Sequence, residues 1–195
     1  MRIVFATSEA NPYIKSGGLA DVLGSLPKAL VQKGHECIVV LPKYQDMKLA
    51  DTLEYVTNYD IWVGWRKCYC GVFKAEYDGV TYYFIDNEQY FRRPGLYGYD
   101  DDNERFAYFD FAVLELLSHI DIKPDILHLH DWQTAMIATL YKERYAYYEY
   151  YQGIKIVFTI HNIAYQGKCD PALLSDHFGL DNYLYYNGNC RNDGC

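Results

Sequence analysis

The sequence predicts an α/β fold built on a doubly wound, parallel sheet with an antiparallel hairpin insertion. Short, β-branched apolar segments alternate three times with segments whose apolar residues recur at helical spacing. In a further segment, polar and apolar residues alternate on both sides of a turn signal, as they do in exposed strands. This pattern indicates the hairpin. The 195 residues, half of them apolar, suffice for one domain with a sizeable core.

The first strand–helix–strand unit begins at the start of the chain. Residues 2–6 are short and β-branched, which suits a buried parallel strand. Leucine and valine recur at helical spacing over residues 19–30. Within that helix Pro27 predicts a kink or a restart, and Gly34 predicts its end. Residues 36–41 (ECIVVL) are predicted as the second buried strand.

A hairpin and a long helix are predicted for the middle of the chain. Residues 53–86 alternate and are rich in Tyr, Trp and Val, and Asp78-Gly79 is a strong signal for a tight turn between two antiparallel strands. A loop follows. Asp101 and Glu104 have the spacing of a capping box, so a helix is expected to begin near Asp101.

The last two predicted strands enclose another helix. Residues 125–130 (DILHLH) are predicted as a third buried strand, residues 132–147 as a helix and residues 155–160 (KIVFTI) as a fourth strand. In parallel sheets with helices on both faces, ligands bind beyond the carboxyl ends of the strands. The loops that leave those ends are therefore where a functional site is expected.

Composition and charge disfavour several classes of function. The net charge is −8 and no basic face is visible, which disfavours nucleic-acid binding. No apolar run approaches the roughly 20 residues of a membrane helix, and the apolar start is too short for a signal peptide, so a cytoplasmic protein without membrane contact is expected. The cysteines are expected to be reduced thiols rather than disulfides or zinc ligands. They are Cys37, Cys68, Cys70, Cys169, Cys190 and Cys195.

A lysine and two glycines follow the first predicted strand. The segment Lys15-Ser16-Gly17-Gly18 lets the backbone approach a ligand closely, and the next helix points its free N–H groups and positive end at this loop. Lys15 adds a full positive charge, so the physical prediction is a phosphate-binding site. The alternative is a glycine turn beside a solvated lysine. The pattern is neither a Walker loop nor a dinucleotide fingerprint.

The end of the third predicted strand carries two histidines and three polar or aromatic residues. His128 and His130 lie two apart and share one face of the strand, where buried core histidines are favoured over metal ligands. Asp131, Trp132 and Gln133 suit a sugar, because carboxylates and amides bind hydroxyl groups and an indole packs on the C–H face of the ring. The alternative role for Asp131 is to cap the following helix.

A His-Asn pair ends the fourth predicted strand. His161 and Asn162 are well placed to contact a polar ligand, and Gln166 lies in the same loop. The acidic run at residues 100–102 looks like a D-x-D metal motif. It precedes a helix instead of following a buried strand, so helix capping is the preferred interpretation. No metal site and no cofactor are predicted.

Three segments together resemble one family. Residues 15–22 (KSGGLADV) are similar to the K-[ST]-G-G-L-[AG]-D-V signature of bacterial glycogen synthases and plant starch synthases. Residues 130–135 (HDWQTA) and 161–167 (HNIAYQG) match two further segments of that family. The resemblance runs from Met1 nearly to the C-terminus, and three motifs in the right order make it specific.

The resemblance implies the Rossmann-like N-terminal domain of a two-domain B-type glycosyltransferase. It implies transfer of α-glucosyl from ADP-glucose to the non-reducing 4-hydroxyl end of an α-1,4-glucan, with retention and without a metal. It assigns the catalytic role to His161. The expected donor-binding residues are Lys15, Gly17, Gly18, Asn162 and Gln166, and the expected acceptor-binding residues are Asp21, Tyr97, Asp131, Trp132 and Gln133.

Members of this family have two domains, so residues 1–195 resemble a truncated N-terminal domain that lacks its nucleotide-binding partner domain. The expected partners are ADP-glucose, α-1,4-glucan and the chain's own C-terminal domain, and the chain alone is expected to be inactive. Two other functions stay open. One is a non-catalytic glucan-binding module. The other is a nucleotide-dependent oxidoreductase, which the missing dinucleotide fingerprint disfavours.

Overall fold

The computed structural model describes residues 1–191 and contains one seven-stranded sheet. Its strands are β1 (Arg2–Ala6), β2 (Glu36–Pro42), β3 (Glu54–Val63), β4 (Arg66–Tyr77), β5 (Val80–Asp86), β6 (Ile126–His130) and β7 (Lys155–Thr159). They lie in the order β3-β4-β5-β2-β1-β6-β7. The five strands from β5 to β7 in that order are parallel, and β4 and β3 are added at the β5 edge by antiparallel pairing.

Helices cover the sheet on both faces. The α-helices of the described residues are α1 (Gly18–Val31), α2 (Glu88–Phe91), α3 (Asp102–His119), α4 (Met136–Leu140), α5 (Leu173–Asp176) and α6 (Tyr183–Tyr186). The crossover from β1 to β2 runs in one direction along the sheet, and the crossovers from β5 to β6 and from β6 to β7 run in the other. Because such crossovers are right-handed, α1 lies on one face and α3 and α4 lie on the other. This is the doubly wound arrangement that the sequence predicts.

The centre of the core is the strand pair β1–β2. Val4, Phe5 and Ala6 have no exposed surface, and the same is true of Val39 and Val40. Helices on both faces exclude water from these strands, which explains why their sequences are continuously apolar. Burying one such large side chain stabilises the fold by roughly 1.5–3 kcal/mol.

The four predicted parallel strands are confirmed with bounds that differ by at most a residue at either end. The predicted hairpin is confirmed as well, because β4 and β5 pair across Asp78 and Gly79, whose φ angles of 52° and 79° suit a tight type I′ turn. The prediction that residues 53–86 form an antiparallel insertion is only partly right. Strand β5 also pairs in parallel with β2, so it is a fifth parallel strand of the main sheet.

Helix α1 ends as predicted but does not restart at Pro27. The helix is continuous from Gly18 to Val31, with Pro27 buried in its interior. Packing of the buried face offsets the hydrogen bond that proline cannot donate. Gly34 follows with φ 84°, and the amide of His35 donates to the carbonyl of Leu30 at 3.1 Å, which closes the helix end.

Two further helix predictions need correction. Asp101 precedes α3, but its side chain makes no capping hydrogen bond, because both carboxylate oxygens accept from the guanidinium of Arg93 at 2.7 and 2.9 Å. That ion pair lowers the pKa of Asp101. The helix predicted for residues 132–147 is also not uniform. It consists of a 3-10 turn, α4 and a π-helical turn in succession.

The sequence predicts no membrane-spanning helix and reduced cysteines, and residues 1–191 of the structure bear on both predictions. No helix in this range is long and apolar enough to cross a membrane. Cys37 and Cys70 are buried free thiols, and Cys68 and Cys190 are partly buried free thiols. Cys195 lies outside the described residues.

Candidate active site

A cleft of about 900 Å³ opens at the carboxyl ends of β1, β6 and β7. These three strands are neighbours in the sheet, so the loops that leave them converge. The cleft is lined by eight of the eleven predicted site residues. They are Gly17, Gly18, Tyr97, Asp131, Trp132, Gln133, His161 and Asn162.

The glycine loop holds an anion that belongs to the chain itself. Glu9 is buried, with 3% of its surface exposed. It accepts hydrogen bonds from the backbone amide of Ser16, from the Ser16 hydroxyl at 3.1 Å and from the amide of Gly17 at 3.2 Å. Gly17 immediately precedes helix α1. Positive helix ends and free amides attract negative charge, and in this structure Glu9 accepts from two of these amides. Phosphate binding at this loop stays a prediction.

Lys15 and Asp21 do not line the cleft in this structure. The Lys15 amine lies 2.7 Å from both carboxylate oxygens of Asp21, and the amide of Asn11 donates to the same carboxylate. Hydrogen bonding to Lys15 lowers the pKa of Asp21. Both side chains are about half exposed. The roles predicted for Lys15 and Asp21 therefore stay predictions. They require Lys15 to leave Asp21 and to bind a ligand instead.

Three histidines form a row that ends in the cleft. The rings of His128 and His130 lie 4.1 Å apart, and those of His130 and His161 lie 5.1 Å apart. His130 Nδ1 is 2.8 Å from His161 Nε2, and His128 Nε2 is 2.7 Å from the hydroxyl of Thr159. Burial, together with the two neighbouring rings, lowers the pKa of His130 to about 3. His130 is therefore a neutral core histidine at physiological pH, as the sequence favours.

Asp131 ties the β6 loop to the β7 loop. Its Oδ1 accepts from the backbone amide of His161 at 2.7 Å and from that of Asn162 at 3.4 Å. Its backbone has φ 58°, a left-handed conformation. Asp131 makes no side-chain cap on the turn that follows, so the capping alternative is wrong. Instead, the Thr134 hydroxyl accepts a hydrogen bond from the backbone amide of His130 at 2.7 Å.

Tyr97 reaches the cleft from a loop held by a buried arginine. The Tyr97 hydroxyl lies 2.7 Å from the hydroxyl of Ser8. One residue earlier, the carbonyl of Leu96 accepts a hydrogen bond from Arg105, which has no exposed surface. Arg105 also forms an ion pair with Asp102 at 2.9 Å. The charged side chain thus anchors the loop that carries Tyr97.

Trp132 supports the loop after β7. Its ring contacts Phe106 edge-on at 5.2 Å between centroids. Gly167 lies directly over it, since a Cβ at that position would be 2.5 Å from the Trp132 ring. Gln166 does not line the main cleft but lines a neighbouring pocket, to which Trp132 also contributes. Gln133 is nearly buried, and its Oε1 has no hydrogen-bond partner among residues 1–191, although it lines the cleft.

Metal binding has no support in the part of the chain that is described. Residues 1–191 contain no group of three or more His, Cys, Asp or Glu side chains that could hold a metal ion. Asp101 is engaged by Arg93, and Asp102 by Arg105. Two of the three residues in the acidic run that resembles a D-x-D motif are therefore paired with arginines.

Comparison with known proteins decides the family. A family model described as the starch synthase catalytic domain matches residues 2–195. The chain belongs to this family. It is 50% identical to the glycogen synthase of Clostridium kluyveri, over 100% of this chain and 41% of that protein. It is 51% identical to the glycogen synthase of Clostridium botulinum, over 99% of this chain and 41% of that protein.

A solved starch synthase has the same fold. The catalytic domain of starch synthase IV from Arabidopsis thaliana, bound to ADP and acarbose, matches with a TM-score of 0.86 and 36% identity. The match covers 94% of this chain and 38% of that one. The chain spans about two fifths of the length of the curated relatives that it matches, since 41% of each is covered.

This chain of the starch synthase family has three residues that build the site and that were not predicted from the sequence. Glu9 holds the glycine loop, Thr134 satisfies the end of β6, and Arg105 anchors the Tyr97 loop. Two of them carry a weak signal in the sequence. Glu9 directly follows the end of an apolar strand, and Arg105 is a single positive charge next to a run of aromatic residues. Their partners are distant or depend on the fold, so no local pattern identifies them.

Proposed function

We propose that the complete protein, meaning the natural polypeptide that contains this chain, is a glycogen or starch synthase. It transfers α-glucosyl from ADP-glucose to the non-reducing 4-hydroxyl of an α-1,4-glucan with retention. The observation that carries the proposal is the cleft, where eight residues predicted from three family motifs and a loop converge. Relatives named glycogen synthase and a starch synthase bound to ADP support the donor and the product class.

The donor diphosphate is proposed to bind at the glycine loop. Glu9 holds the amides of Ser16 and Gly17, and the next residue, Gly18, begins α1 and lines the cleft. Lys15 is proposed to leave Asp21 and contact the diphosphate. Exposed ion pairs contribute little to stability, so this exchange is inexpensive. As the sugar–phosphate bond breaks, negative charge grows on the diphosphate, where fixed amides and a cation stabilise it.

The sugar side of the cleft is proposed to lie between the β6 and β7 loops. His161 and Asn162 come from one side, and Gln133 and Trp132 come from the other. Gln133 lines the cleft, and its buried Oε1 has no hydrogen-bond partner among residues 1–191. A rotation of this side chain is proposed to bring its amide to a sugar hydroxyl, and pairing a costly unpaired polar atom would favour binding. Tyr97, Asp21 and Asp131 are proposed to serve the acceptor end.

The chain is proposed to be the N-terminal part of the enzyme. Its length is about two fifths of that of its relatives, and the remainder is proposed to supply the nucleoside pocket and further phosphate contacts. The binding of nucleotide sugar and glucan would then need both parts. A cytoplasmic location is part of this proposal, and cell fractionation of the complete protein would test it.

A transfer assay tests the proposal. The complete protein is incubated with ADP-glucose and maltooligosaccharides, and the products are read by proton NMR for new α-1,4 linkages. We expect chain elongation by the complete protein and none by residues 1–195 alone. Lys15→Ala should reduce kcat/KM at least about ten-fold, as loss of other transition-state charge contacts does.

The matched control is Lys33→Ala, which removes an exposed lysine beyond the end of α1. Its rate should equal that of the unaltered protein. Elongation by residues 1–195 alone would refute the need for a second part. An unchanged rate in Lys15→Ala would remove the phosphate role of this lysine.

A further inference from the structure

We propose that His130 is a positioning residue that fixes the tautomer of His161. In this arrangement His130 donates from Nδ1 to Nε2 of His161. His161 then carries its own proton on Nδ1 and offers an N–H donor to the cleft. The inference deepens the proposed function, on which its relevance to glucosyl transfer rests, but the tautomer itself can be measured without any substrate.

The geometry leaves one hydrogen bond between the two rings. His130 Nδ1 and His161 Nε2 are 2.8 Å apart, a normal hydrogen-bond distance. Two bare lone pairs or two N–H groups cannot face each other there, so one proton lies between the rings. The backbone amide of His161 is held by Asp131 at 2.7 Å, which fixes the position of the ring's attachment point.

Burial decides the charge of His130. The residue has no exposed surface, and the ring of His128 lies 4.1 Å away. Burial and the neighbouring histidine rings both disfavour the charged form of His130, so its pKa is lowered to about 3. At neutral pH His130 therefore carries a single N–H, on either Nδ1 or Nε2.

The surroundings of His130 Nε2 decide which nitrogen holds that proton. None of the described residues gives Nε2 a hydrogen-bond partner, and its atom is buried. A proton on Nε2 would bury an N–H donor without an acceptor, and buried N–H groups in native proteins are nearly always paired. With the proton on Nδ1, the donor is satisfied by His161 and the unpaired atom is a lone pair.

The consequence is directional chemistry at the cleft. His161 accepts from His130 at Nε2, so in its neutral form the proton must lie on Nδ1. His161 is one of the residues that line the cleft. In this scheme its Nδ1–H is the donor offered to the cleft, and a donor suits a hydroxyl or ring oxygen of a sugar acting as acceptor. His130 does not touch the ligand in this scheme and acts only through His161.

NMR of the labelled 195-residue chain tests the tautomer directly. The chain has six histidines, and long-range proton–nitrogen correlations distinguish protonated from unprotonated ring nitrogens. The spectrum is recorded at about pH 8, above the usual imidazole pKa near 6.5. We expect His161 to have a protonated Nδ1 and an unprotonated Nε2. A protonated Nε2, or a mixture of both tautomers in fast exchange, would overturn the proposal.

Two substitutions separate positioning from packing. His130→Asn keeps an N–H donor near the Nδ1 position, whereas His130→Phe keeps the ring shape and removes the donor. We expect the asparagine variant to retain the His161 tautomer and the phenylalanine variant to lose it. In the complete protein, kcat should fall at least about ten-fold in His130→Phe and be largely rescued in His130→Asn, as for other orienting hydrogen bonds.

A purely structural role for His130 predicts the reverse order, because phenylalanine fills the site better than asparagine. His128→Phe is the control. It alters the neighbouring ring in the same strand and leaves the His130–His161 contact in place, so the His161 tautomer should not change. Absence of glucosyl transfer with a fixed tautomer would refute the proposed function and leave the role of His130 intact.

Discussion

Two buried carboxyl groups in this molecule have opposite surroundings. Glu9 accepts from two backbone amides and a hydroxyl, so its negative charge is compensated. Asp110, in the middle of α3, is 2% exposed, and its Oδ1 has no partner among the described residues. Burial raises the pKa of Asp110 well above its usual value. One carboxyl group therefore has hydrogen-bond donors around it, and burial of the other disfavours its charged form.

Asp110 should make the fold less stable as pH rises. Its pKa is higher in the folded than in the unfolded chain, so the unfolded chain releases this proton first and gains stability above its own pKa near 3.9. Asp110→Asn removes the ionisation. We expect the wild type to lose unfolding free energy between about pH 5 and about pH 8 and the variant to keep more of it, with an upper limit of about 1.4 kcal/mol per pH unit for one titrating group. Urea unfolding followed by circular dichroism measures it.

The control for this prediction is Asp51→Asn, the same chemical change at an exposed position. It should leave the pH dependence as in the wild type. If Asp110→Asn and the wild type lost stability in parallel between these pH values, Asp110 would not titrate as its burial requires.

Residue roles were predictable from the sequence only where a motif carries them. His128 and His130 share a face because strand residues alternate, and that needs only the strand prediction. Glu9 and Arg105 were missed, because a carboxylate on glycine-loop amides and an arginine on a loop carbonyl depend on where the chain returns. The pairing of Lys15 with Asp21 was missed because the sequence shows the charges but not their partners.

At the scale of elements, the loop after β7 depends on a glycine that packs on an indole. Gly167 has φ 62°, in the left-handed region, and a Cβ there would lie 2.5 Å from the Trp132 ring. Both the conformation and the space therefore exclude a side chain. The ring beneath it contacts Phe106 in α3, so the glycine connects the loop to the helix layer.

Gly167→Ala should cost more stability than an equally strained control. Gly153 has φ 87°, but no atom lies within 4 Å of the point where a Cβ would stand, so Gly153→Ala adds backbone strain alone. We expect that control to lose about 1 kcal/mol and Gly167→Ala to lose about 1–3 kcal/mol more, the cost of overpacking. Thermal and urea unfolding compare the two. Equal losses would mean that the Trp132 contact does not constrain the loop.

Elements were predicted well where period and turn chemistry agree. The four predicted parallel strands and the Asp78-Gly79 turn follow from apolar runs and from a dipeptide that tolerates positive φ, although β7 is largely exposed and not buried. The pairing of β5 with β2 was not predictable from the sequence. Alternation of polar and apolar residues shows that a strand is half-buried, but it does not show which strand lies beside it. The unbroken course of α1 through Pro27 reflects packing that overrides local propensity.

At the scale of the whole molecule, the order of strands creates the site. The neighbours β1 and β6 are far apart in sequence, at Arg2–Ala6 and Ile126–His130, yet their carboxyl ends and that of β7 meet at one edge of the sheet. The glycine loop, the Asp131 turn and the His161 loop are thereby brought to one cleft. A parallel sheet predicts that such ends converge, but the sequence alone does not give the strand order.

The most direct test is a crystal structure of the complete protein with ADP. We predict that the diphosphate lies within hydrogen-bond distance of the Gly18 amide and of the Lys15 amine, with the Lys15–Asp21 ion pair broken and Glu9 still holding the Ser16 and Gly17 amides. A diphosphate bound away from the Gly17–Gly18 loop, with Lys15 still paired to Asp21, would contradict the proposed donor site.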